Sequence, residues 1–151
     1  MNTTIYAQNP GAARNIACSE TFEKLQTFMR FYRDSKGFTK YYKQEKEAII
    51  KRGRDEWQAV LDLVNVNAFY YGQYLYKRIL KLLYTLKKLV DNEEKTMYPM
   101  IFEWSEKYPK LIELHQKLEK AASDEEVEIE FAEFFNELRI AVNKEYMDIV
   151  S

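Results

Sequence analysis

The sequence predicts an all-α fold, a helical bundle of five or six helices with one long central helix. Three observations carry this. Four Gly and three Pro stand among 151 residues against 12 Tyr and 9 Phe, so turn-formers are scarce and bulky packing side chains are abundant. Apolar residues recur every three or four positions through most of the chain, the period of a helix face and not of a strand. Helix-capping residues, Ser19, Thr39, Asp55 and Ser123, stand in front of these runs.

Residues 1–18, with Asn9-Pro10-Gly11 and two alanines, show no periodicity and read as an extended N-terminal arm; residues 19–151 read as a single bundle domain without internal repeats. After Ser19 and Glu20, the residues Phe22, Leu25, Phe28, Met29 and Tyr32 keep helical spacing up to Gly37. Thr39 opens a second helix through Tyr42, Lys46 and Ile49 to Gly53, so Gly37 and Gly53 punctuate a helical hairpin. Beyond Asp55, the positions Trp57, Leu61, Val64, Ala68, Tyr71, Leu75, Ile79, Leu82, Leu86 and Leu89 form one uninterrupted stripe. That stripe predicts a single helix of about 36 residues, whose weak points are Asn65, Asn67 and Gly72. Asp91-Asn92-Glu93-Glu94 is a polar connection, and Pro99 and Pro109 suit first helical turns, giving helices Pro99–Lys107 and Pro109–Ala122. Ser123-Asp124-Glu125-Glu126 has the form of a capping box. It opens a last helix with Val127, Phe131, Phe134, Phe135, Leu138, Val142 and Ile149 inward.

A chain of this length buries roughly 70% of its unfolded surface and needs neither metal nor disulfide to stay folded. The lone Cys18 forms no internal bridge and no apolar leader follows Met1, so the expected compartment is the cytoplasm, or the virion interior for a viral protein. Lys and Arg interrupt every long apolar stretch, which argues against a membrane span.

Charge is distributed unevenly. Residues 1–88 hold 16 Lys+Arg and 8 Asp+Glu, a formal +8, whereas residues 89–151 hold 7 and 16, a formal −9. Such polarity suits contact with a polyanion, or with the opposite half of a second copy. The basic residues interleave with Phe31, Tyr32, Phe38, Tyr41 and Tyr42, so phosphate contacts are expected from Arg30, Arg33, Lys40, Lys43, Lys51, Arg52, Arg54, Lys77 and Lys81.

The inventory for catalysis is thin, and no enzymatic role is expected. The single histidine, His115, has Ile112 three residues before it where a bundle di-metal site needs Glu, and with Glu113 and Glu119 nearby it reads as a solvated rim residue. Cys18 has no cationic neighbour to form a thiolate, and Lys51-Arg52-Gly53-Arg54 lacks the glycines of a phosphate loop. No catalytic residue, cofactor or metal is expected.

Three stretches resemble the small helical subunit of type III-A CRISPR effector complexes. Leu25-Gln26-Thr27-Phe28-Met29-Arg30-Phe31-Tyr32 is similar to that family's first-helix cluster. Asn67-Ala68-Phe69-Tyr70-Tyr71-Gly72-Gln73 resembles its aromatic-then-glycine segment, with Gln73 where Arg usually follows, and Phe131-Ala132-Glu133-Phe134-Phe135-Asn136-Glu137-Leu138 its terminal aromatic helix. The resemblance implies a non-catalytic protein stacked in copies along a ribonucleoprotein, touching the crRNA–target backbone through basic side chains. Two other classes fit the same features. One is a DNA-wrapping coat protein of a filamentous virus, which accounts for arm and polarity together. The other is an adaptor that binds protein through its acidic helix with Phe131, Phe134 and Phe135.

Overall fold

The computed structural model describes residues 10–41, 46–91 and 104–151, and these are 90% helical. Among the described residues there are six helices and no strand: α1 Pro10–Tyr41, α2 Lys46–Val66, α3 Ala68–Tyr71, α4 Gln73–Val90, α5 Pro109–Lys120 and α6 Asp124–Val150. The all-α bundle expected from periodicity is thus present. Helices α1, α2, α4 and α6 each pack on the next, and α6 returns to α1, closing a four-helix ring on which α5 lies against α6. Contacts that run in opposite order along the chain, Phe31 with Arg52 and Glu20 with Asn67, Trp57 with Leu83 and Asn65 with Tyr76, Tyr32 with Phe135 and Cys18 with Tyr146, show that α1 and α2, α2 and α4, and α1 and α6 are antiparallel.

The expected arm is corrected from residue 10 onward. Helix α1 starts at Pro10, whose fixed φ suits a first turn, and Ala13 and Ala17 are fully buried. Their small side chains let the first turns of α1 lie close to neighbouring backbone; residues 1–9 lie outside the described residues. Gly37 and Gly53 are not helix ends, since α1 passes through the first and α2 through the second. Residues 42–45, between the two helices, lie outside the described residues. Gly53 is buried where three helices meet: a Cβ there would stand 3.6 Å from Val90 of α4 and 3.9 Å from Phe31 of α1. Those are ordinary van der Waals distances, so the site has room for a methyl group, and α2 runs through Gly53 despite the ~1 kcal/mol that glycine costs within a helix.

The single long helix from Asp55 is the larger correction. It breaks at Asn67 and Gly72, two of its weak points, into α2, the one-turn α3 and α4, and the halves fold back on each other. A straight helix would expose half of its stripe; the hairpin buries Val60 and Val64 together with Ile79, Leu83 and Leu86, each worth roughly 1.5–3 kcal/mol. Trp57 Nε1 donates to the Leu83 carbonyl at 2.7 Å, and the Tyr76 hydroxyl donates to Asn65 Oδ1, which pins the two arms together. Tyr71 fills the corner. Its hydroxyl bonds the Ala17 carbonyl at 3.3 Å and shares a hydrogen bond with the buried Thr21, both on α1. Gly72 has φ +79° and ψ 160°, a conformation open essentially to glycine alone, although nothing lies within 4 Å of where its Cβ would be.

Residues 104–107 form a turn closed by Tyr108 N–H on the Trp104 carbonyl at 2.8 Å, not the end of a helix; residues 99–103 lie outside the described residues. Helix α5 starts at Pro109 as expected. The cap at α6 is formed and the return bond of the box is displaced by one residue: Ser123 Oγ accepts from Glu126 N–H at 3.2 Å, while Glu126 Oε2 accepts from Ala122 N–H, just before the cap, at 2.9 Å. The inward stripe of α6 holds at Phe134, Phe135, Leu138 and Val142, which are buried, while Val127, Phe131 and Ile149 are only half-buried. Tyr146 belongs to it as well, donating to the Cys18 carbonyl at 2.6 Å and stacking on Phe22.

Since only the backbone dihedral at Gly72 forbids a side chain, Gly72→Ala is expected to lower unfolding free energy by about 1–3 kcal/mol in urea titration. Ala68→Gly, a change in the one-turn α3, is expected to cost less.

Candidate nucleic-acid interface

Helix α4 turns Leu75, Ile79, Leu82, Leu86 and Leu89 inward, so at 100° per residue the opposite side carries Lys77, Lys81, Tyr84 and Lys88, with Tyr74 and the half-buried Arg78 on one flank. No carboxylate occurs anywhere from Leu63 to Val90. The helix itself adds no negative charge to this face, and among the described residues Lys77, Arg78, Lys81 and Lys87 have no ion-pair partner. Tyr74 is 76% and Tyr84 51% exposed, which places two aromatic rings within the row of cations. Arg78 lies 5.5 Å over the Tyr74 ring and Lys87 5.3 Å over that of Trp57, so both cations lie against apolar surface while keeping their donors outward. Beside Tyr74, Arg78 and Lys81 a cleft of about 520 Å³ opens toward Trp104 and Lys107. Two carboxylates line it as well, the exposed Glu106 and also Glu145, the latter engaged by Lys107 at 3.2 Å and by the Tyr108 hydroxyl at 2.8 Å.

The residues expected to touch phosphate do not form one patch. Lys77 and Lys81 lie on the α4 face just described. Arg30 and Arg33 are exposed on α1 and line a different groove, between α1 and α6, with Arg33 bonded to Asp34 at 3.0 Å. On α2, Lys51 pairs with Asp55 at 3.4 Å, Arg54 pairs with Asp91 at 3.4 Å, and Arg52 sits 5.1 Å over the Phe31 ring. Such exposed pairs are worth at most about 1 kcal/mol each, yet they lower the field that a phosphate would meet. Lys40 lies in α1, but its side chain, like the whole of Lys43, falls outside the described residues. Tyr74, Arg78 and Tyr84 join the interface although residue clustering did not single them out. The signal for them was the long interval free of acid.

His115 is corrected from rim to interior. It is buried, its ring lies 5.8 Å from that of Phe134, and Nδ1 stands 3.3 Å from Glu119 Oε1. Cys18 is half-buried; burial raises its thiol above the ordinary value, outweighing the opposite pull of Arg14, and disfavours the thiolate. Burial likewise raises Tyr32, Tyr108 and Tyr146, and pushes Tyr71 up to about 12. Among the described residues no three His, Cys, Asp or Glu gather to hold a metal, and no helix is long and apolar enough to cross a membrane. What the α4 face offers chemically is charge neutralisation and ring stacking. No known family model matches the chain, and no curated protein or solved structure is significantly similar to it.

Of the three stretches resembling the CRISPR small subunit, Leu25, Phe28, Met29, Tyr32, Tyr71, Phe134, Phe135 and Leu138 belong to the core.

Tyr71 is neutral in the folded chain well past the point where an unfolded tyrosine ionises. The unfolded state therefore loses protons first, and stability is expected to fall between about pH 10 and pH 12. Urea midpoints measured across that interval check it, with Tyr71→Phe expected to flatten part of the slope.

Proposed function

We propose that the chain is a non-enzymatic structural subunit of a nucleoprotein assembly, holding nucleic-acid backbone against the outer face of α4. One observation carries the reading: Lys77, Arg78 and Lys81 project from one helix face without carboxylate partners, flanked by the exposed rings of Tyr74 and Tyr84. Cations at this spacing neutralise successive phosphates, and tyrosine rings stack on unpaired bases without regard to sequence, so the face suits single-stranded backbone better than base-specific readout. The acidic surface supports contacts to like subunits. From Ala121 to Leu138 the chain has seven carboxylates and no Lys or Arg, and Asp124, Glu125, Glu128 and Glu133 are exposed on the first half of α6. The resemblance to the CRISPR small subunit supplies a concrete assembly of this kind, with copies stacked along a ribonucleoprotein.

Fluorescence anisotropy with a labelled single-stranded oligonucleotide, titrated at several salt concentrations, tests the proposal. Lys77→Glu with Lys81→Glu is expected to weaken binding at least about tenfold and to reduce the slope of log K against log salt by about 1.4, with circular dichroism unchanged. Lys51→Glu with Arg54→Glu, which disturbs residues already paired, is expected to weaken it less. Unaltered affinity in the first variant, or no binding at low salt, would refute the reading.

A further inference from the structure

An open groove of about 850 Å³ runs between α1 and α6 and shares no residue with the α4 face. Its floor is apolar, made by Met29 of α1 and by Phe131 and Phe135 of α6, the first and last buried and Phe131 half-buried. Its lips carry Arg30 and Arg33 from one side and Arg139 from the other. The lining extends from Phe22 to Arg33 and from Glu128 to Arg139, about 16 Å along each helix, or three turns. Because the helices are antiparallel, the two carboxylates of the lining, Glu23 and Glu128, fall at opposite ends and the guanidinium groups lie between them. Arg30 Nη2 donates to Thr27 Oγ1 at 3.3 Å and Arg139 Nη2 to Asn136 Oδ1 at 3.1 Å. Each is thereby held along its own helix. Among the described residues neither has an ion-pair partner.

We propose that this groove docks an acidic amphipathic helix of a partner protein, with its apolar stripe on Met29, Phe131 and Phe135 and its carboxylates on Arg30 and Arg139. The bundle already contains the same kind of contact with the charges reversed. On another face of α6, the amphipathic α5 buries Leu111 and Leu114 while its Lys110 pairs with Glu137 at 3.2 Å. In the groove it is the bundle that supplies the cations, so the docked helix must supply the anions. A compact anion on the lips would leave the apolar floor uncovered, and a phosphodiester backbone has no apolar side to lay on Phe131 and Phe135. An amphipathic helix satisfies both the floor and the lips.

The probe is a fluorescein-labelled helical peptide of about 14 residues with leucines at i, i+3, i+4 and i+7 flanked by glutamates, titrated with the full chain. Its controls are the same peptide with lysine for glutamate and a scrambled order. The glutamate peptide is expected to bind at least about tenfold tighter than either control. Arg30→Glu with Arg139→Glu is expected to remove that preference, while Lys77→Glu with Lys81→Glu leaves it intact. If the charge reversal disturbs folding by circular dichroism, Arg30→Gln with Arg139→Gln replaces it, with the same loss expected. Equal binding of the three peptides, or none up to about 1 mM, overturns the proposal. So does displacement of the peptide by oligonucleotide in the Lys77/Lys81 variant, which would make the groove a nucleic-acid site. A self-association in sedimentation that the Arg30/Arg139 variant abolishes would make its occupant a second copy, and overturns it equally.

Discussion

Everything in this bundle depends on the reversal of direction between Asn67 and Gly72. Without it the stripe from Trp57 to Leu89 would be one side of a rod, and there would be no second pair of helices to complete a ring. With it, α4 returns alongside α2, Trp57 reaches the Leu83 carbonyl, and Tyr71 turns inward to meet Ala17 and Thr21 on α1. The left-handed backbone of Gly72 makes the corner possible, and burial of both arms makes it favourable.

The reversal also decides which cations are available. Once α4 commits its leucines to the core, its remaining surface can only be the lysines, arginine and tyrosines between them. The cations of α2 have acidic neighbours, one a turn away at Asp55 and one delivered by the fold at Asp91, the end of α4. On α4, Lys77, Arg78, Lys81 and Lys87 have no ion-pair partner among the described residues, and the helix contains no acid of its own. The two helices therefore present different fields, which net charge by half-chain does not show.

Hydrogen bonds from aromatic side chains to backbone carbonyls recur through the core: Trp57 to Leu83, Tyr71 to Ala17, Tyr146 to Cys18. Each ring spans the gap between two helices, contributes a large apolar area, and ends in a donor that finds an acceptor, so the polar tip is buried without being left unbonded. The price is sensitivity to ionisation at high pH. The gain is that α1, α3 and α6 are tied at one end of the bundle by groups that cannot be exchanged for simple aliphatics.

Helix content, the α6 capping box and most core positions were legible in the sequence, because the 3.6-residue period and the chemistry of a helix end are set by residues three or four apart. Tertiary structure decided what local rules cannot contain. Ala13 and Ala17 form a core face, but alanine is too small to register as an apolar stripe until a neighbouring helix covers it. Gly37 and Gly53 looked like helix ends, yet α1 and α2 run through them, because the ~1 kcal/mol cost of one helical glycine is small beside the packing of a whole helix. The stripe from Trp57 to Leu89 keeps its phase across the corner, so periodicity alone could not distinguish a rod from a hairpin. For the candidate interface, the sequence by itself determined which residues bear charge. Only the fold determined which of them stand beside a carboxylate, because an ion pair such as Arg54 with Asp91 joins residues that have no local relation, and whether a cation is free to meet a phosphate depends on such pairings.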